Sequence, residues 1–218
     1  MKYLDFLENV PLFAGLSPTD LQALLETLRV EREAFAAGEI LLRTGEVIDR
    51  FGILLAGRVE IVKENFEGNQ TLVAQITPGH IFAEAFACSR APLTVTVQAG
   101  RSGAKVLWLS YADLFAPHGE LDAVCRQIGQ RLIESFASKN LFLTGRIEHL
   151  AKRSLREKVL SYLSGQATAA GSRSFDIPLD RRQMADYLAA DRSALSAVLG
   201  KLREEGVLQF RKNHFTLL

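Results

Sequence analysis

A chain of 218 residues is long enough for one large domain or two modest ones, each with its own core. Apolar residues make up 48% of it without any run approaching the roughly 18–20 residues that cross a bilayer, so no membrane span is expected. Two cysteines cannot build a disulfide framework or an all-cysteine iron–sulfur cluster, and a net charge of +1 leaves little for binding by bulk charge alone. That charge is uneven. From Arg146 onward 13 Lys/Arg stand against 8 Asp/Glu, whereas the first 145 residues carry 13 against 17. An acidic front and a basic back predict that only the back meets phosphate. The opening MKYLDFLENV lacks the charged and then long apolar regions of a secretory signal, so a reducing, cytoplasmic location is expected.

In chain order, residues 1–35 read as helical. Ser17-Pro18-Thr19-Asp20 marks a helix start, and Leu21, Leu24, Leu25 and Leu28 follow on one face. From about Glu33 to Ser110 short strands alternate with glycine turns at Gly38, Gly45, Gly57, Gly68 and Gly79. The strands are Ile40–Leu42, Phe51–Leu55, Val59–Val62, Leu72–Ile76, Thr94–Ala99 and Lys105–Leu109, a spacing that predicts a β-barrel or jelly roll.

A long helix is predicted over Leu121–Leu150. Leu121, Cys125, Ile128, Leu132, Phe136, Lys139 and Leu143 recur at steps of three or four, close to the seam of a two-stranded coiled coil that Lys139 interrupts. The same stripe can instead lie on the barrel, and the two uses are compatible. A helix of this length predicts a homodimer, with Thr144-Gly145-Arg146 as a hinge. Another helix is expected over Ile147–Ser164, then a loop, GQATAAGSRS, over Gly165–Ser174.

The most informative stretch is Asp180–Arg203. Asp180 and Gln183 form a capping-box pattern, and Met184, Ala185, Tyr187 and Leu188 follow at helical spacing. Ala189-Ala190-Asp191 turns the chain, and Asp191 suits the cap of a second helix. There Ala194, Leu195, Val198, Leu199 and Leu202 form the buried stripe, leaving Arg192, Ser193, Ser196, Ala197 and Lys201 outside. The pattern is a helix-turn-helix, with an ordinary helical hairpin as the alternative. Val207–Phe210 and His214–Leu217 then read as strands around Arg211-Lys212-Asn213, a basic-tipped wing that favours the DNA-binding reading.

Together these parts resemble the CRP/FNR superfamily of bacterial transcription regulators over nearly the whole chain. The resemblance is strongest at LTGRIEHL (Leu143–Leu150), at Ile177–Leu202, in the wing and at PLFAGLSPTDL (Pro11–Leu21). It implies an α+β fold: an N-terminal double-stranded β-helix (jelly roll) sensor over 1–116, a dimerisation helix over 117–145 and a C-terminal winged helix-turn-helix over 146–218. It also implies a homodimer on a pseudo-palindromic double-stranded DNA operator, RNA polymerase as a partner, and allosteric control by a small molecule. Arg192 would read a base, Arg181, Arg182 and Arg211 would meet phosphate, and Ser193, Ser196 and Lys201 complete the expected DNA face. Ser193 and Ala197 depart from the family's usual glutamate and second arginine.

The cassette departs further. Cyclic-nucleotide binders of the family hold the ribose with a glycine-glutamate pair and the phosphate with an arginine followed by a hydroxyl residue. Here Ala83-Glu84 and Leu93-Thr94 occupy those places. Leu93 removes the bidentate cation that a buried phosphodiester requires, so cyclic AMP is not the expected effector. Arg90 is the substitute cation within reach. The expected effector pocket comprises Phe82, Ala83, Glu84, Arg90, Leu93, Thr94, Ile128, Arg131 and Leu132, for an uncharged or carboxylate-bearing organic molecule or none. A redox role for Cys88 and Cys125 and a haem ligand at His80 stay open, against free buried thiols and a solvated turn histidine. The four histidines show no metal-ligand spacing, and neither a phosphate loop, a nucleophile elbow nor paired catalytic carboxylates appear, so no enzyme is expected. The alternative is a small-molecule-binding roll without sequence-specific DNA binding.

Overall fold

The computed structural model describes residues 2–28, 30–65 and 67–218. The chain divides into two compact units, residues 1–134 and 135–218.

The first unit opens with α1 (Lys2–Glu8), a 3-10 turn at Pro11–Phe13 and α2 (Pro18–Thr27). The Ser17 hydroxyl accepts the Asp20 N–H at 3.1 Å, and Pro18 begins α2, where its missing N–H costs nothing. The expected helical region ends here, because β1 (Glu31–Phe35) is recruited as a strand by ladder pairing from Glu31↔Trp108 to Phe35↔Ala104. The roll continues with β2 (Ile40–Leu42), β3 (Arg50–Glu64), β4 (Gln70–Ile76), β5 (Ile81–Phe82), α3 (Glu84–Ser89), β6 (Thr96–Ser110) and α4 (Tyr111–Leu114). The sheet order is β1-β6-β3-β4, with β2 on β6 and β5 on β3.

Two pairs of strands expected to be separate are single strands. Phe51–Leu55 and Val59–Val62 merge in β3, and Lys105–Leu109 joins most of Thr94–Ala99 in β6. These two 15-residue strands pair from Arg50↔Ser110 to Val62↔Thr96 and form the spine of the unit. Gly57 marks a bulge rather than a turn. Its φ of +83° falls between two register shifts, and a Cβ there would collide with the Gly103 carbonyl. Within the core Phe82 meets Trp108 edge-on at 5.5 Å, covers Gly52, and is joined by Phe13, Phe51 and Leu54. The Trp108 indole N–H donates to Glu33 Oε2 at 2.9 Å, so the buried ring keeps a polar partner.

The long helix α5 runs Asp122–Leu150. Cys125, Ile128 and Leu132 from the predicted seam belong to the roll core and are at most 4% exposed. The apolar side chains of α5 that remain open are Ile133, Leu141, Phe142, Leu143 and Ile147, all more than half exposed, and of these only Leu143 belongs to the predicted seam. No break occurs at Thr144–Arg146; Gly145 is carried inside the helix.

The second unit adds α6 (Leu155–Ala170), β7 (Ser174–Asp176), α7 (Arg181–Tyr187), α8 (Arg192–Glu204), β8 (Leu208–Arg211) and β9 (His214–Leu217). α6 starts later and ends later than expected. Ser154 and Glu157 close a reciprocal capping box at its start, and Gly171, at φ +59°, caps its end. Thus Gly165–Ala170, expected as loop, is helical, consistent with its alanines. Tyr162, Leu163, Met184, Leu188, Leu195, Leu199, Leu202 and Phe215 fill the core beneath a sheet of order β7-β9-β8. Ala194, expected in the stripe, is exposed. Among the described residues no helix is long and apolar enough to cross a membrane.

Candidate nucleic-acid interface and sensor cassette

Local sequence builds the helix pair. The Asp180 carboxylate accepts the N–H groups of Arg182 and Gln183, both at 2.8 Å, while the Asp180 N–H donates to Gln183 Oε1. Ala189 takes the left-handed φ of +49° that makes the corner. Asp191 then caps α8 by accepting the N–H groups of Ser193 and Ala194. Those bonds, led by the one from the Ser193 hydroxyl, hold its carboxyl below the usual carboxylate range.

Arg192, Ser193, Ser196, Ala197 and Lys201 are all exposed on α8. In the free protein two of the expected contacts are turned inward: Ser193 donates to Asp191, and Ser196 donates to the Arg192 carbonyl at 2.9 Å. Arg182 and Arg211 are exposed, whereas Arg181 is partly covered. Its guanidinium lies 5.1 Å from the Phe210 ring and 5.5 Å from Phe215, and Nη2 donates to the Lys212 carbonyl at 3.3 Å. Burial lowers its pKa from the free value, although arginine remains cationic near neutrality.

β7 and β9 bring together Ser174, His214 and Asp176. His214 Nδ1 is 3.1 Å from Asp176 Oδ1, and its Nε2 is 3.0 Å from Ser174 Oγ. The order matches a nucleophile–base–carboxylate relay, but Asp176 is 79% and His214 49% exposed. Water screens such a relay and solvates its charges, so the arrangement acts as a clasp between β7 and the wing.

Sequence reasoning passed over a cluster at the end of α5. Arg146 stacks on Tyr187, and His149 packs edge-on to Tyr162 at 5.8 Å and bonds to Ser161 Oγ at 2.9 Å. Burial drives the His149 pKa below its ordinary value; Glu148 opposes this and Lys152 adds to it. Tyr162 Oη is buried without a hydrogen-bond partner among the described residues, and burial together with Tyr187 pushes its pKa up to about 12. The sequence carries part of the signal: Arg146 and His149 lie three apart and so share one helix face, but the carbonyls that Arg146 meets belong to the end of α7 and not to its own helix.

In the first unit the cassette is largely self-filled. Phe82, Leu93, Ile128 and Leu132 lie in the packed core, each at most 2% exposed. The Leu93 backbone locks this placement, its N–H donating to Glu46 O and its carbonyl accepting from the Gly45 N–H, both at 2.8 Å. Glu84 is the one buried charged side chain among the described residues. Ala83 and Arg90 bracket α3 at φ +63° and +56°, a conformation strained for any residue with a Cβ. The Arg90 guanidinium lies 3.9 Å from the Asp49 carboxylate, Thr94 is exposed, and Arg131 donates to the Leu12 carbonyl at 3.4 Å. His80 is an exposed turn residue with Nδ1 3.2 Å from both Thr77 oxygens. Cys88 is exposed and Cys125 buried, with the Cys125 thiol pKa raised by burial and by Asp122.

Comparison with known proteins matches residues 32–116 to the cyclic nucleotide-binding domain and 157–218 to the Crp-like helix-turn-helix domain, about two thirds of the chain together. Potassium channel SKOR of Arabidopsis thaliana is 30% identical over 96 residues, 44% of this chain, which spans only 11% of the channel. Transcriptional activator protein FnrL of Cereibacter sphaeroides is 23% identical over 201 residues, 85% of this chain and 75% of its own. The crystal structure of Thermus thermophilus catabolite activator protein shares the fold at TM-score 0.51 and 19% identity, covering 95% of this chain and 93% of that one. The channel matches one domain alone, whereas in this chain the nucleotide-binding-type roll is followed by a long helix and a Crp-like head. The chain therefore belongs to the CRP/FNR superfamily of transcription regulators.

Proposed function

We propose that the chain works as a cytoplasmic homodimer that reads a pseudo-palindromic duplex and passes its response to RNA polymerase. The observation that carries this reading is the exposed polar face of α8, from Arg192 to Lys201, opposite the buried Leu195, Leu199 and Leu202. Arg192, at the exposed N-terminal end of the reading helix, is suited to a bidentate bond to guanine. Arg182 and Arg211 supply phosphate contacts, and Ser193, Ser196 and Lys201 complete the face once the two serine hydroxyls turn outward. The roll over 1–116 is the sensor, α5 supplies the dimer segment expected over 117–145, and residues 146–218 carry the DNA head.

The effector of this reading is not a cyclic nucleotide. Leu93 occupies the place of the phosphate-binding arginine and is buried in the core, so a phosphodiester would lose its solvation without gaining a bidentate partner. An uncharged organic molecule, taken up beside Glu84 and Thr94, fits this loss of the cation better, because a carboxylate would meet the same lack of a partner and the buried Glu84 besides. Selection from random duplexes with the purified dimer tests the DNA reading: enrichment of a two-fold symmetric site supports it, and no enrichment at low salt defeats it. Calorimetric titration with cyclic AMP tests the effector reading, which a micromolar dissociation constant would overturn.

A further inference from the structure

We propose that Arg181 positions the wing rather than contacting DNA phosphate, acting as a strap between the start of α7 and the outer strand of the hairpin. This rests on the DNA-binding reading above for its consequence, though not for its geometry.

Two neighbouring arginines open α7, and they are placed differently. Arg182 is exposed and makes no side-chain hydrogen bond or ion pair among the described residues. The Arg181 guanidinium is engaged on several sides. It lies 5.1 Å from the Phe210 ring and 5.5 Å from the Phe215 ring, Nη2 donates to the Lys212 carbonyl at 3.3 Å, and Nη1 reaches Met184 Sδ at 3.8 Å. A planar guanidinium can stack on an aromatic face and keep donating in its own plane, and a lysine ammonium cannot do both.

The wing tip is where such a strap acts. β9 pairs with β7, and Leu208 and Phe215 are buried, so the base of the hairpin is anchored, but β8 is the outer strand, four residues long, and pairs with β9 alone among the described strands. The hairpin's two-residue loop, Lys212-Asn213, places Lys212 at φ +55°, where a side chain strains the backbone, and it is the carbonyl of this residue that Arg181 holds. Arg203, in the last turn of α8, approaches the same Phe210 ring at 5.4 Å. The start of α7 and the end of α8 therefore both grip the one half-buried aromatic of β8, which ties the wing-tip cations Arg211 and Lys212 to the reading helix.

A double-mutant cycle on the full chain with its selected duplex tests this. Arg181→Ala is expected to weaken binding on the order of tenfold when the wing tip is intact and less than about twofold once Arg211→Ala and Lys212→Ala are present. Arg182→Ala should weaken binding equally in both backgrounds, and should lower the slope of log affinity against log salt by about 0.9. Arg181→Lys should not restore binding, because charge alone is not what the wing uses. Additive losses from Arg181 and the wing tip, or rescue by lysine, would overturn the proposal. Phe210→Leu, which keeps an apolar side chain and removes the ring, provides a second route should Arg181→Ala fold poorly; it should reproduce the non-additivity, and additive loss again counts against the strap. If the wild-type chain binds no duplex, the DNA reading fails separately. Amide hydrogen exchange then still decides the strap, because Arg181→Ala must accelerate exchange at Phe210–His214 where Arg182→Ala does not, and equal protection in both refutes it.

Discussion

Arg146 caps another helix's end: its Nε donates to the Tyr187 carbonyl at 3.0 Å and its Nη2 to the Asp186 carbonyl at 3.1 Å, while its guanidinium lies 5.5 Å over the Tyr187 ring. These carbonyls belong to the last turn of α7, where orphan acceptors and the negative end of the helix dipole favour a cation. Arg146→Ala should therefore destabilise the C-terminal unit by about 1–3 kcal/mol. Arg146→Lys should recover only part of that, because one ammonium cannot reproduce the fork. Chemical denaturation of the two variants measures both.

His149 makes stability depend on pH. Its folded pKa lies below the ordinary 6.5, chiefly because the ring is buried against Tyr162 and Tyr187. Above pH 6.5 both folded and unfolded forms are neutral and the contribution is complete. As pH falls below that value the unfolded chain takes up a proton first, so stability is lost progressively toward the lower folded pKa. Thermal melts between pH 7.5 and 5 should fall for the wild type and fall less for His149→Gln.

Leu93 is predicted to be a core residue before anything else. It is 2% exposed, and Leu93→Ala should cost about 2–5 kcal/mol, mostly as an unfilled cavity. A calorimetric or denaturant measurement giving less than about 1 kcal/mol would instead indicate a pocket already open to solvent.

The dimer reading predicts that charges on the open stripe of α5 matter more than charges elsewhere on that helix. Ile133 and Ile147 are 65% and 66% exposed, so in a monomer their replacement by glutamate should be nearly neutral. In the dimer Ile133→Glu and Ile147→Glu should separate the protomers in analytical ultracentrifugation and weaken duplex binding in parallel. Unchanged sedimentation would show that the stripe is not the interface.

Arg192→Ala should cost roughly 1–3 kcal/mol of DNA affinity and relax preference at one base pair per half-site. Its side chain is exposed, so the same variant should leave the melting temperature of the free protein unchanged.

The helix-turn-helix was readable because its information is local. Asp180 with Gln183, Asp191 ahead of α8, and the spacing of Leu195, Leu199 and Leu202 each act within a few residues, and the structure keeps all three. The limits of α6 were equally local and yet were misplaced at Ile147 and Ser164: the Ser154–Glu157 capping box starts the helix, and the alanines after Gly165 carry it to Gly171. Gly57 could not be read in this way. A turn glycine and a bulge glycine look alike until β6 is laid alongside β3 and the Gly103 carbonyl fills the space where a Cβ would be.

The sequence by itself determined a strand-rich front with acidic excess, a long helix after it, and a basic head with a helix-turn-helix and a wing. Only the tertiary structure decided which apolar residues of α5 are spent on the roll and which stay open, and which of two adjacent arginines is taken up by the wing. Periodicity specifies a helix face, but whether that face is used depends on what the rest of the chain brings against it. Ile128 and Ile133 differ in burial for that reason, and so do Arg181 and Arg182.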